Sequence, residues 1–256
     1  MLPSFHSVMR STTVNLFTVL SLTGIAQVVN IENKRLANDT STWAAQAGFR
    51  FNMVQNTQRS FDLGGYGAVQ YNRDIHRFFF VTDFNLNKVE ENAFTNTGFQ
   101  HFRYQRAWRG PVHWEGYMQL QYNKPLRIDV RWVTGAGPRV LVKQKDDLRV
   151  ALGTSIMYEH EADRVNELYY NDIRSSNYVS AAFKIEPGLQ LTAILYYQPL
   201  IGDASDQRVA LEAQLRIKAT RRFAFDTRIN LQNDTKMAPG VPNLNYVWQN
   251  TFSVVL

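Results

Sequence analysis

From Leu126 to Val142 apolar and charged side chains alternate almost without a break. Leu126, Ile128, Val130, Trp132, Val140 and Val142 share one parity; Arg127, Asp129, Arg131 and Arg139 hold the other. A strand sends successive side chains to opposite faces, so the pattern predicts a sheet with one apolar and one ionic face. The same two-sided pattern recurs from Trp43 onward, with no stretch of helical period to cover the apolar face. An uncovered apolar face predicts lipid outside and polar side chains inside: an all-β, antiparallel transmembrane barrel.

Period-2 segments bounded by turn residues predict about twelve strands. They fall near 43–54, 59–71, 76–89, 98–108, 112–122, 126–142, 148–158, 173–185, 189–201, 208–219, 223–232 and 246–256. Such lengths suit a tilted crossing of hydrocarbon, whereas soluble strands average about five or six residues. Short connections at 72–75, 109–111, 186–188 and 220–222, with a five-residue turn at 143–147, alternate with a series that is long at 90–97, 159–172 and 233–245, intermediate at 202–207 and short at 55–58 and 123–125. That alternation predicts both chain ends on the periplasmic side and the long loops outside. Trp108 and Trp114 flank one short turn, where an interfacial aromatic belt would lie. Pro138, inside a strand with two neighbours, predicts a bulge.

The run Val14 to Ala26 is apolar but shorter than the roughly 20 residues a membrane helix needs. Arg10 precedes it and the small residues Gly24 and Ala26 close it, the layout of a signal peptide cut after Ala26. Met9 would give a more compact leader than Met1. The expected organisation is a leader over 1–26, a periplasmic segment over 27–42 and a barrel over 43–256. The formal charge of +6 is spread singly along strands rather than gathered into a patch, which argues against nucleic acid. With no cysteine, neither disulfides nor thiolate metal sites arise.

Catalytic chemistry is sparse. The five histidines lack metal-ligand spacing, and His101 and His113 fall about six residues out of register on paired strands. Ser155 faces inward and His160 sits at a rim, so they form no hydrolase dyad. Gly64, Gly65 and Gly67 interrupt an alternating strand and predict relief of crowding or a bulge, not a phosphate loop. No cofactor and no enzyme activity is expected; the alternative is an outer-membrane enzyme acting on lipid or lipopolysaccharide.

The strongest constellation is the set of inward charges. It includes Arg50, Arg77, Arg103, Arg127, Arg131, Arg139, Arg149, Lys184, Arg216, Lys218 and Arg228, against Asp62, Asp83, Glu115, Asp129, Glu159, Glu212 and Asp226. Two readings stay open: the side chains pair and plug a narrow lumen, or surplus positive charge lines a weakly anion-preferring path for small solutes. Hairpin arithmetic places Arg216 opposite Asp226 and Arg131 opposite Glu159.

Several segments carry a resemblance to a known family. They are Phe102-Arg103-Tyr104, Gln119-Leu120-Gln121-Tyr122-Asn123-Lys124, Gly135-Ala136-Gly137-Pro138-Arg139, Met157-Tyr158-Glu159, Ser176-Asn177-Tyr178 and Tyr197-Gln198-Pro199. In order and spacing they resemble the salt-induced outer-membrane proteins, a family named as a domain of unknown function. The resemblance implies an outer-membrane barrel of a Gram-negative envelope. It implies as partners outer-membrane lipid, lipopolysaccharide and the barrel-assembly machinery, which reads the C-terminal strand. It brings no catalytic residues. Such barrels usually end in an aromatic residue, and this sequence ends in Leu256.

Overall fold

The computed structural model describes residues 42–254, apart from 56–58, 91, 146 and 221–222. The expected leader and all but the last residue of the 27–42 segment lie outside the described residues. Twelve strands follow one another: β1 Trp43–Gln55, β2 Arg59–Arg73, β3 His76–Val89, β4 Asn92–Arg109, β5 Val112–Asn123 and β6 Ile128–Gln144. After them come β7 Leu148–Asp163, β8 Leu168–Glu186, β9 Leu189–Leu200, β10 Asp203–Lys218, β11 Phe223–Asp234 and β12 Leu244–Val254. They make a single antiparallel sheet whose spatial order is the sequence order.

The expected closed barrel is corrected by this topology. Among the described residues β1 pairs with β2 alone and β12 with β11 alone, so the sheet is open at both edges. Alternation specifies which face a side chain takes, and it is identical in an open and a closed sheet. The terms transmembrane barrel and porin-like therefore do not describe this fold.

The sheet is nonetheless strongly curled. The Tyr178 hydroxyl on β8 donates to Glu115 on β5 at 2.7 Å, and Arg208 on β10 donates to Glu159 on β7 at 3.1 Å. Strands three apart in the order thus meet across a concave face. Curling explains how side chains of a one-layer sheet become buried.

Cross-strand glycines make room for rings on both faces. Gly48 lies opposite Tyr66, Gly98 opposite Tyr122, Gly135 opposite Tyr117 and Gly153 opposite Tyr178. A Cβ on Gly153 would stand 2.2 Å from the Tyr178 ring. Gly65, one of the three glycines of β2, lies opposite Phe84 in the same way, so it relieves crowding and makes no bulge.

Three local expectations change. Pro138 creates no register shift: the β6–β7 ladder omits Gly137 and Pro138 and resumes at Arg139↔Gly153 in unchanged register. A shift instead falls between Gln121 and Asn123, next to a 3-10 turn over Lys124–Leu126 that Asn123 caps through its side chain. That irregularity turns Ile128 to the same side as Arg131, so Leu126 and Ile128 are buried rather than on the outer apolar face. Two expected long loops also shrink, because β4 begins at Asn92 and β7–β8 pairing continues to Asp163↔Leu168. Only the β11–β12 connection stays long, and its Met237 and Val241 pack on Leu126 and Ile128.

Candidate functional site

The concave face is built by alternate residues of β4 to β10, and polar side chains fill it. Its loop half centres on Glu159. Arg131 Nε lies 2.7 Å from Glu159, Arg208 Nη1 3.1 Å and Arg174 Nε 3.6 Å. Each guanidinium reaches a second acid: Glu161 for Arg131 at 3.5 Å, Asp206 for Arg174 at 2.9 Å and Asp234 for Arg208 at 2.6 Å. Three strands, β6, β8 and β10, therefore converge on one carboxylate of a fourth, β7. At the rim Lys236 donates to Asp203 at 3.3 Å, and this carboxylate holds its ammonium pKa above the usual lysine range.

A second centre forms around Glu115. It accepts from Tyr178 and from the Gln105 amide, with Arg103 Nη1 at 3.5 Å and Arg139 Nη1 at 3.6 Å. Arg103 stacks 5.2 Å above the Tyr117 ring and Arg139 5.8 Å from that of Tyr178. Arg103, Arg131, Arg139 and Arg174 are each at most 3% exposed. Desolvating charges this deeply is costly unless each has partners, and here every one of them does. Between the two centres a cavity of about 10 Å³ lies among His101, Tyr117, Gln119, Arg131, Val133 and Met157, room for roughly one water.

The other predicted residues sit apart from these centres. Arg216 and Asp226 face each other on β10 and β11 and bridge at 2.6 Å, but Arg216 is 41% exposed. Arg228 donates to Gln214 at 3.1 Å, and Glu212 stands opposite Asn230 on the same hairpin. Arg131 lies opposite Glu161, two residues from its expected partner, yet reaches Glu159 diagonally. Arg127 is in the β5–β6 connection with a left-handed backbone (φ 57°), and Asp129 accepts from the backbone N–H of Arg164. Arg174, Arg208, Asp206 and Asp234 were missed. They lie close to where the expected strands began or stopped, whereas the observed β8 and β10 start earlier, at Leu168 and Asp203, and β11 runs on to Asp234; Arg208 nonetheless shares the parity of Glu212 and Arg216. Ser155 meets Tyr117, and His160 meets Asn171, so the two remain separate.

The convex face has the opposite chemistry. All five tryptophans, Trp43, Trp108, Trp114, Trp132 and Trp248, are between 41% and 67% exposed. Phe49, Phe84, Leu120, Ile156 and Phe252 join them. This polarity is inverted relative to a water-soluble sheet.

The family model described as "Protein of unknown function, DUF481" matches residues 45–248, and the chain belongs to that family. The resemblance carried by the short segments is thus borne out, and membership points to an outer-membrane-associated protein. Among curated proteins no match is found. Two solved structures show a likeness. A structure titled "NanC porin structure in rhombohedral crystal form" is 10% identical with a TM-score of 0.46, covering 76% of this chain and 94% of the other. The beta domain of the Bordetella autotransporter BrkA is 10% identical with a TM-score of 0.38, covering 81% and 95%.

Proposed function

We propose that the protein is a non-catalytic structural element of the outer membrane, a curled sheet whose convex face contacts lipid and whose concave face is sealed by its own ion pairs. The observation that carries this reading is the inverted polarity: exposed tryptophans on one face, buried arginines on the other. Water would penalise the first face and hydrocarbon the second. The reading is of a face in contact with lipid, because among the described residues the outer edges of β1 and β12 have no pairing strand, and their N–H and C=O rows require polar surroundings. Outer-membrane phospholipid and lipopolysaccharide acyl chains are the surface it meets. The assembly machinery would engage β12, where Tyr246, Trp248 and Phe252 project outward.

The test uses the intrinsic tryptophans. In vesicles of brominated phospholipid their emission should be blue-shifted and strongly quenched relative to unbrominated vesicles. Equal emission in both, with a spectrum like that in water, would overturn the reading.

A further inference from the structure

At the end of the sheet that carries the Asp74 and Gly110 turns, the convex face of β2, β3 and β4 is layered. The row nearest the turn is Arg73↔His76↔Arg106. The next is Tyr71↔Phe78↔Tyr104, and the third is Val69↔Phe80↔Phe102. Chemistry therefore grades from cationic through amphipathic aromatic to apolar in three successive ladder positions on one face. An open groove of about 740 Å³ is lined by Arg73 and His76 of the first row, by Tyr71, Phe78 and Tyr104 of the second and by Phe102 of the third; Arg106, opposite His76, and Phe80, opposite Phe102, continue these rows beside it.

The two arginines of the basic row are unsatisfied by the protein itself. His76 lies directly opposite both Arg73 and Arg106 and so stands between them in the row. Among the described residues neither Arg73 nor Arg106 is in an ion pair, and Asp74 is the one acid lining the groove. The aromatic row is ordered beneath it: His76 Nδ1 and Tyr104 Oη share a 2.7 Å hydrogen bond, and the Phe78 and Tyr104 rings lie 5.0 Å apart.

We infer that this groove binds the headgroup of an anionic glycerophospholipid. The phosphate sits on the Arg73–His76–Arg106 row, the glycerol region on Tyr71 and Tyr104, and the acyl chains on Phe80 and Phe102. Charge complementarity selects an anionic lipid, and the apolar row behind the cations selects a lipid over free phosphate. The inference rests on the lipid-contacting reading above and adds a specific site to it.

Native mass spectrometry of the detergent-purified full chain, titrated with phosphatidylglycerol, phosphatidylcholine or inorganic phosphate, tests it. The wild-type protein should retain phosphatidylglycerol in preference to phosphatidylcholine. The preference should fall about fivefold for each of Arg73→Gln and Arg106→Gln. Arg59→Gln, exposed at the opposite end, should leave it unchanged. Equal retention of the two lipids, or an undiminished preference in the double variant, would overturn the site. Displacement of the lipid by millimolar phosphate alone would overturn the assignment to lipid. If tryptophan quenching by bromolipid succeeds while these arms fail, the headgroup site is wrong and the lipid-contacting face stands.

Discussion

The β10–β11 hairpin carries an Arg–Asp pair at each end, and the two are chemically alike but physically different. At the loop end Arg208 meets Asp234 at 2.6 Å with both side chains at most 6% exposed. At the turn end Arg216 meets Asp226, also at 2.6 Å, with exposures of 41% and 22%. The first pair is joined by Glu159, Arg131 and Arg174 from other strands; the second has Gln214 beside it. Equal geometry thus gives unequal consequences, because removing one member of a buried cluster strands the rest out of water, whereas water replaces the partner of an exposed pair.

Glu159→Ala should break this contrast hardest. It leaves three arginines facing one another, and unfolding from lipid vesicles in urea should show a loss of about 3–5 kcal/mol. A loss under 1 kcal/mol would mean that water already screens the cluster. The convex face extends the comparison to lipid. Ile156→Arg, at a site 67% exposed on β7, should destabilise the lipid-bound protein by about 2–4 kcal/mol if the site lies deep in hydrocarbon. The same substitution at the neighbouring polar Thr154 would place that charge on the convex face too, so Ser155→Arg on the concave side is the informative partner. Its penalty should persist in detergent and lipid alike.

Smaller effects follow where packing alone is disturbed. Gly153→Ala sets a methyl against Tyr178, the ring that donates to Glu115, and should cost about 1–3 kcal/mol. Tyr178→Ala in the same background should recover part of that cost, read from the two unfolding midpoints. Arg216→Ala closes the series, with a loss of about 0.2–1 kcal/mol that shrinks as salt is raised.

Much of the strand layout was legible because period-2 alternation is a local property: β2, β3, β5, β7, β9 and β11 begin where turn residues meet alternating ones. The Arg216–Asp226 pair was legible for the same reason, since a tight turn sets its hairpin register. What escaped depends on partners. Whether β1 meets β12 is a property of curl and strand spacing that no single strand encodes. The β6–β7 register moved by two because the turn pairs Gln144 with Arg149 instead of centring on Lys145, and the irregularity between Leu141 and Lys143 takes back one position of that offset. The burial of Leu126 and Ile128 needed the 3-10 turn that Pro125 opens. Arg174 and Arg208 were hidden by strand ends that pairing extends past the apolar stretch.

The β11–β12 connection also bears on the order in which the chain assembles. Among the described residues every ladder joins neighbours in sequence, so the sheet can grow hairpin by hairpin with small loop-closure cost at each step. Met237 and Val241 are different: they reach back to Leu126 and Ile128, laid down five strands earlier. Such a contact rewards the chain only after the intervening hairpins exist, which places it late, beyond the folding transition state. Polar replacement of Met237 should then accelerate unfolding while leaving the folding rate nearly untouched. The loop acts as a latch on lifetime rather than a guide to the fold.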